Sequence, residues 1–321
     1  MTLTKKDVDK FADNFRELVD NVEKTLFGKR PVIELVVAAM IAEGHVLLED
    51  FPGTGKTALA RSLSQSIKGT GSRIQFTPDL LPGDVTGISV YDQKTGKFEF
   101  HAGPVFANVV LADEINRASP KTQSALLEAM EEGRVTVDGV TRSTGTPFIV
   151  IATQNPIEQA GTYRLPEAQL DRFMLKTSLG YPDAASTVRI LEGTSESAHT
   201  LDPVMKLETM LEMSDMSRAV FVNPLVLDYI VRLVEATRSA RQVRMGSSVR
   251  GARNLTKVAK AWAAAHGRPF VTPDDVKALA EPVLAHRIVL DPEAEFDGVT
   301  ANAVIQQILL DTVPPSGGEN E

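Results

Sequence analysis

Near residue 50 the chain reads Pro52-Gly53-Thr54-Gly55-Lys56-Thr57, between a short apolar run (His45–Leu48) and a helical pattern starting at about Thr57. Two glycines let a backbone curl until successive N–H groups face one point, and the helix that follows adds the positive end of its dipole. A lysine in such a loop can neutralise the outer phosphates of a nucleoside triphosphate, and the hydroxyl after it can bind Mg²⁺. Pro52, Gly53, Thr54, Gly55, Lys56, Thr57 and the following Ala58 are therefore a candidate phosphate cradle. The full signature has a glycine where this chain has Asp50. Alone, Gly-Lys-Thr is also what a surface turn capping a helix looks like, so its neighbours decide.

Downstream comes Val109-Val110-Leu111-Ala112-Asp113-Glu114, four apolar residues ending in two carboxylates. A buried strand of this kind delivers its acids to the C-terminal edge of a parallel sheet, where ligands gather in open α/β folds. Asp113 is placed to hold Mg²⁺ through water and Glu114 to polarise an attacking water. A third apolar run, Phe148–Thr153, ends in Gln154-Asn155, and an amide there could contact a γ-phosphate or orient the water. Two other nucleotide folds are excluded: no glycine stands at position 58 for a dinucleotide fingerprint, and no kinase catalytic loop is present.

The elements that must carry these residues follow from periodicity. Residues 4–26 predict an amphipathic helix with Val8, Phe11, Phe15, Leu18, Val19, Val22 and Leu26 on one face and Thr4 with Asp7 at its start. Gly28 ends it, and Pro31 opens a second helix running to about Glu43. Strands at 45–48, 73–76, 109–112, 148–153 and 173–177 alternate with helices such as Pro120–Glu132, which predicts an α/β layer with a largely parallel sheet. Val85–Phe100, around Lys94-Thr95-Gly96, and Arg134–Arg142, around Asp138-Gly139, read as β-hairpins. After Tyr181-Pro182 only helical periodicity remains, at Pro224–Ser239, Ser248–Ala265, Pro273–Ala285 and Thr300–Leu310. The expected division is an α/β core over 1–180, a smaller helical domain over 181–313 and a loose tail over 314–321.

Composition bounds the rest. With 321 residues, 43% apolar and 24% charged, the chain can build a sizeable core of about two domains. It has no cysteine, which removes disulfides, thiol catalysis and cysteine zinc sites, and its 5 histidines lack metal-ligand spacing. A net charge of −8 disfavours a protein that coats nucleic acid. The longest uncharged apolar stretch, Leu35–Ala42, is far short of a membrane span, and Met1–Lys10 lacks the apolar core of a signal peptide. The expectation is a cytoplasmic protein without a membrane span.

The motifs together strongly resemble the MoxR family of AAA+ ATPases, over nearly the whole chain. The resemblance is carried by Leu48-Glu49-Asp50-Phe51-Pro52-Gly53-Thr54-Gly55-Lys56-Thr57, Ala112-Asp113-Glu114-Ile115-Asn116-Arg117-Ala118, Ala152-Thr153-Gln154-Asn155-Pro156 and Leu170-Asp171-Arg172-Phe173. It continues through Gly161-Thr162-Tyr163-Arg164-Leu165-Pro166-Glu167-Ala168, Val271–Val276 and Leu284-Ala285-His286-Arg287. Asp50 is a common variant in that family. The resemblance implies a ring, usually hexameric, with a P-loop α/β core, an all-helical lid and ATP/ADP with Mg²⁺ between neighbouring subunits. Lys56 and Thr57 match Walker A, Asp113 and Glu114 Walker B, Asn155 sensor 1, and Arg172 the arginine finger acting on the next subunit's nucleotide. Arg250, in Ser248-Val249-Arg250-Gly251, matches the lid's sensor 2 arginine, although Val249 stands where the family often has proline. The hairpins match the helix 2 insert and the pre-sensor 1 hairpin. Such ATPases are thought to mature partner enzymes, often with a von Willebrand factor A domain protein.

Several features admit other readings. Residues 231–270 hold nine basic residues (Arg232, Arg238, Arg241, Arg244, Arg250, Arg253, Lys257, Lys260, Arg268) against one acid, Glu235. A nucleic-acid motor would use such a stripe, but a lid helix facing ATP and a neighbouring acidic surface is the better reading, and Trp262 within it reads as a core residue, so no base-stacking platform is apparent. A module that holds ATP without hydrolysing it is at odds with an intact Glu114. Arg117 is a second candidate for the trans-acting arginine, Tyr163 and Arg164 read as interface residues or as loop anchors, Met205, Met210, Met213 and Met216 as packing residues, and His286-Arg287 as cations at a helix end.

Overall fold

The computed structural model describes residues 3–155, 163–192 and 201–315. Pro156, Gly161 and Thr162 of the sequence strings, and all of the tail beyond 315, lie outside the described residues. The first half comprises α1 (Lys5–Glu23), α2 (Arg30–Ile41), β1 (Val46–Glu49), α3 (Lys56–Ser66), β2 (Gly71–Gln75), α4 (Pro82–Thr86), β3 (Gly87–Asp92), β4 (Lys97–Ala102), β5 (Val109–Asp113) and α5 (Pro120–Glu132). Then come β6 (Arg134–Val137), β7 (Val140–Ser143), β8 (Ile149–Gln154), α6 (Glu167–Leu170), β9 (Leu175–Thr177), α7 (Ala184–Leu191), α8 (Leu207–Ala219) and α9 (Pro224–Ser239). The chain closes with β10 (Val243–Met245), α10 (Val249–Ala265), α11 (Pro273–Leu284), β11 (Val289–Leu290), α12 (Pro292–Phe296) and α13 (Ala301–Asp311).

Five strands form one sheet in the order β2-β5-β8-β1-β9, and each pairing in it is parallel. β5 is buried along its whole length, and β8 is buried up to Gln154, as near-continuous apolar runs in a two-faced sheet must be. The predicted strands all occur, shifted by up to two residues. α1 carries the expected capping box: Asp7 N–H donates to Thr4 Oγ1 at 3.3 Å and Thr4 N–H to Asp7 Oδ2 at 2.9 Å. Both hairpins form, β3–β4 and β6–β7. Asp138 (φ 50°) and Gly139 (φ 76°) give the second one its left-handed turn. Val85 and Thr86, expected in the first hairpin, belong instead to α4, where Pro82 opens the turn and Asp84 accepts the Leu81 N–H at 2.8 Å. The Arg142 guanidinium lies 3.8 Å from the Phe100 ring centre and ties one hairpin to the other.

Beyond the sheet the chain is helical, with α10 central and packed against α1, α2, α8, α9 and α11. A single apolar cluster runs from Phe11 and Phe15 of α1 through Val36 and Val37 of α2 into Leu255, Val258 and Leu279. The change of texture near residue 180 is therefore not a gap in the core. β10 and β11 add a short antiparallel clip, too brief to register as periodicity. Met205, Met210 and Met213 are buried and Met216 packs against the same cluster, as expected for packing residues.

His45, just before β1, joins this layer to α5. Its Nδ1 accepts the Val150 N–H at 3.0 Å, so Nε2 carries the proton and donates to the Met130 carbonyl at 2.9 Å. Burial pushes this imidazole down to about 4. The unfolded chain, with an ordinary histidine near 6.5, takes up the proton first as pH falls. The stabilisation is thus complete above pH 6.5 and lost toward pH 4, up to ~3 kcal/mol from this residue. His286, held well below its ordinary value by burial and then by Arg287, acts in the same direction. Denaturant unfolding at stepped pH should show this decline, and His45→Asn should make it shallower; an unchanged slope would assign the loss elsewhere.

Candidate active site

The phosphate loop lies at the C-terminal end of β1 and runs into α3. Gly53 (φ 83°) and Gly55 (φ 96°) both occupy left-handed backbone, and a Cβ on Gly53 would meet nothing within 4 Å, so the cradle is open on that side. The Lys56 ammonium donates to the carbonyls of Phe51 (2.9 Å) and Asp50 (3.3 Å), arched over the loop. Thr57 and Ala58 face a cavity of about 410 Å³ shared with Phe27, Lys29, Arg61, Pro182 and Ile190. That cavity sets apolar residues beside the glycine loop, a lining compatible with a nucleotide.

Asp50 explains the departure from the glycine signature. It is 2% exposed, and its carboxylate accepts Ser178 Oγ–H (2.9 Å), Leu179 N–H (2.7 Å) and Gly180 N–H (2.9 Å). A side chain at this position therefore ties the phosphate loop to the segment that follows β9. Glycine could supply the loop's conformation but not this tie.

Because β8 lies between β5 and β1, the acids, the amide and the loop arrive at the same edge. Thr153, fully buried, donates its hydroxyl to Asp113 Oδ1 (2.7 Å) and accepts the Glu114 N–H (2.8 Å). Glu114 sits in left-handed backbone (φ 56°), and its Oε2 receives Gln75 Nε2 (2.9 Å) and Arg117 Nη1 (2.8 Å). Asp113 Oδ2 also receives Arg73 Nη2 at 2.7 Å. Asn155 follows β8 directly. The oxygen donors Thr57 and Asp113 suit Mg²⁺, which is usually held by one or two protein groups together with nucleotide phosphates.

Arg172 and Arg250 are elsewhere. Arg172 precedes β9, and Met174 N–H pairs with the His45 carbonyl, so this segment lies at the N-terminal edge of the sheet. There Arg172 Nη2 meets Glu131 Oε2 at 3.1 Å, and Arg250 Nη2 meets Glu131 Oε1 at 2.5 Å. Arg253 and Lys257 line the same small cavity. The length of β1, on the order of 13 Å at about 3.3 Å per residue, separates this cationic group from the phosphate loop.

The remaining candidates divide clearly. Arg117 stays with its own chain's Glu114. Tyr163 is a loop anchor through its backbone, its N–H donating to the Asn116 carbonyl at 2.6 Å, while its ring is exposed. In the basic stripe, Arg232 pairs with Asp228, Arg238 donates to the Ser247 carbonyl, Lys260 to the Arg218 carbonyl, and Arg268 forks onto Asp275, so it is not a continuous solvated track. Arg287 departs most from expectation: beyond touching the Val283 carbonyl of α11, it is buried against Asp171 and Phe173. Sequence reading also passed over Thr153, Gln75, Arg73 and Glu131. A threonine closing an apolar strand and alternate polar residues on β2 were the available signals, whereas Glu131 looks like any solvated helix acid.

Residues 45–175 match the family described as "ATPase family associated with various cellular activities (AAA)", and residues 235–308 match the AAA lid domain. The chain is 50% identical over 293 residues to the uncharacterized protein YeaC of Bacillus subtilis (strain 168), covering 91% of this chain and 92% of that protein. It is 38% identical to Chaperone MoxR1 of Mycobacterium tuberculosis, covering 92% of this chain and 80% of that one. A crystal structure from Cytophaga hutchinsonii, described as that of a candidate ATPase, superposes with a TM-score of 0.89 at 39% identity, over 96% of both chains. Among the described residues no helix is long and apolar enough to cross a membrane.

The Asp50 tie is open to direct measurement. Asp50→Gly, which completes the glycine signature, should lower the unfolding free energy by at least about 1.5–3 kcal/mol, the worth of one charge-assisted hydrogen bond. Denaturant titration would detect the shift; a variant as stable as the parent would mean that the tie contributes nothing.

Proposed function

The chain belongs to the MoxR family of AAA+ ATPases, and from that premise we propose that it hydrolyses ATP at a site completed by a neighbouring copy and uses the cycle to remodel a partner protein. One observation carries this reading: the loop and its acids occupy one edge of the sheet, while Arg172 and Arg250 gather on Glu131 at the other. A chain built this way offers half a site at each edge, and a ring closes the halves head to tail. The proposed assembly is a homo-oligomeric ring, a hexamer in keeping with the family, in the cytoplasm.

In that mechanism the loop N–H groups and Lys56 bind the β- and γ-phosphates of ATP. Thr57 and Asp113 would hold Mg²⁺, which when bound neutralises phosphate oxygens. Glu114 takes a proton from water oriented with Asn155; the water oxygen bonds to the γ-phosphorus, the bond to the β–γ bridging oxygen breaks, and ADP and phosphate leave. Arg172 and Arg250 of the next copy spread positive charge over the transferring group, which suits a planar, permanently charged fork. The division into an AAA+ core (1–180), a lid (181–313) and a tail (314–321) is part of the proposal, supported by family matches that fall on either side of residue 180. The name Chaperone MoxR1 of the relative supports a chaperone-like role. A partner with a von Willebrand factor A domain and a client complex complete the reading. The nucleic-acid alternative loses support because the basic stripe is largely engaged within the chain.

Glu114→Gln should retain ATP and lose about 10²–10⁴-fold in turnover, the usual cost of removing a positioned general base. Phosphate release alongside nucleotide titration tests this, and wild-type turnover would remove Glu114 from the mechanism. Arg172→Ala should bind ATP yet fail to hydrolyse it, losing about 10³–10⁵-fold. Mixing it with Lys56→Ala, also inactive alone, should restore partial activity that falls on dilution. If the two co-assemble and no activity returns at any ratio, the shared-site reading fails.

A further inference from the structure

We propose that Arg287 is a positioning residue for Arg172: it holds the Asp171–Met174 segment against the lid, so that the lid of one subunit sets the aim of the arginine offered to the next. The proposal rests on Arg172 acting in trans.

Arg287 is 5% exposed and lies in the short turn just beyond α11, yet most of its donors point at the core segment. Its Nε meets Asp171 Oδ1 at 2.9 Å, and its Nη2 donates to the carbonyls of Asp171 (3.2 Å) and Phe173. Nη1 reaches the Met174 carbonyl at 3.3 Å and the Val283 carbonyl. The backbone is thus gripped on both sides of Arg172. A guanidinium can do this because its five donors lie in one rigid plane; an ammonium cannot. Burial pushes Arg287 down to about 10 while Asp171 opposes the shift, so it stays charged at neutral pH.

The second lid contact is independent. Asp171 Oδ2 accepts the Ser248 hydroxyl at 3.0 Å, and Ser248 caps the helix that carries Arg250. At Gly251 a Cβ would collide with Ser247 Oγ and stand 3.1 Å from Arg287 Cδ, so α10 abuts Arg287 directly. Asp171 therefore receives two lid elements at once, and the two arginines that flank this junction end on the same Glu131. Any lid movement relative to the sheet must carry the segment bearing Arg172 with it or break these bonds.

The test uses full-length Arg287→Gln and Asp171→Ala, which remove the two sides of the junction separately, Asp171 being the more exposed of the pair. Each should form rings, bind a fluorescent ATP analogue with parental affinity, and lose on the order of 10²-fold in turnover, the cost of misplacing a reacting group by about 1 Å. Mixed rings separate positioning from general damage. Either variant with Lys56→Ala should regain activity, because its loop is intact and the Lys56→Ala subunit supplies a well-aimed Arg172. Either variant with Arg172→Ala should regain none, because both fail on the same side. Recovery with Arg172→Ala, or none with Lys56→Ala when the Arg172→Ala and Lys56→Ala pair does recover, would overturn the proposal. Parental turnover in Asp171→Ala would do the same. If the Arg172→Ala and Lys56→Ala pair itself fails, the shared-site reading fails and this proposal falls with it.

Discussion

Because β1 runs parallel to both β8 and β9, the sheet has a direction, and every functional group inherits its place from that direction. Strand ends that share an edge bring Asp113, Asn155 and the phosphate loop together although they are far apart in the chain. The approach to β9 is at the opposite edge for the same reason. An antiparallel partner for β1 would have brought Arg172 to its own loop. Parallel pairing instead places it at the far edge, against Glu131.

Electrostatics at the two edges are complementary. Asp113 and Glu114 are attended by Arg73, Arg117 and Gln75, and Glu49 by Lys176 and Gln154. At the other edge Glu131 is shared by two arginines. Buried or half-buried charges need partners, and these internal pairs supply them without a neighbour. Lys56, resting on loop carbonyls, illustrates the same economy.

The helical region is not an appendage. Its core is continuous with that of α1 and α2, and two ties cross from it or its approach to the sheet: Asp50 to 178–180 at one end of β9, Arg287 to 171–174 at the other. β9 is thereby fixed at both ends although it is an edge strand of the sheet. Displacing the helical region relative to the sheet would strain these two junctions.

Much was legible in the sequence because local chemistry dictates it. A glycine pair before Lys56, apolar runs ending in acids or an amide, and proline or threonine at helix starts specify loop, strand and cap within a few residues. The family strings then suggested roles for these residues. What the sequence could not express was sidedness and burial. Arg287 reads as a cation at a helix end, and only the meeting of α11 with the approach to β9 turns its donors onto Asp171 and Phe173. Asp50 reads as a missing glycine until three donors from residues 178–180 close on it. Arg250 matches a lid arginine by its string alone, but its place depends on where α10 docks, and it docks beside Arg172 on Glu131. Local propensity acts over a few residues, whereas these placements are set by contacts between segments more than a hundred residues apart.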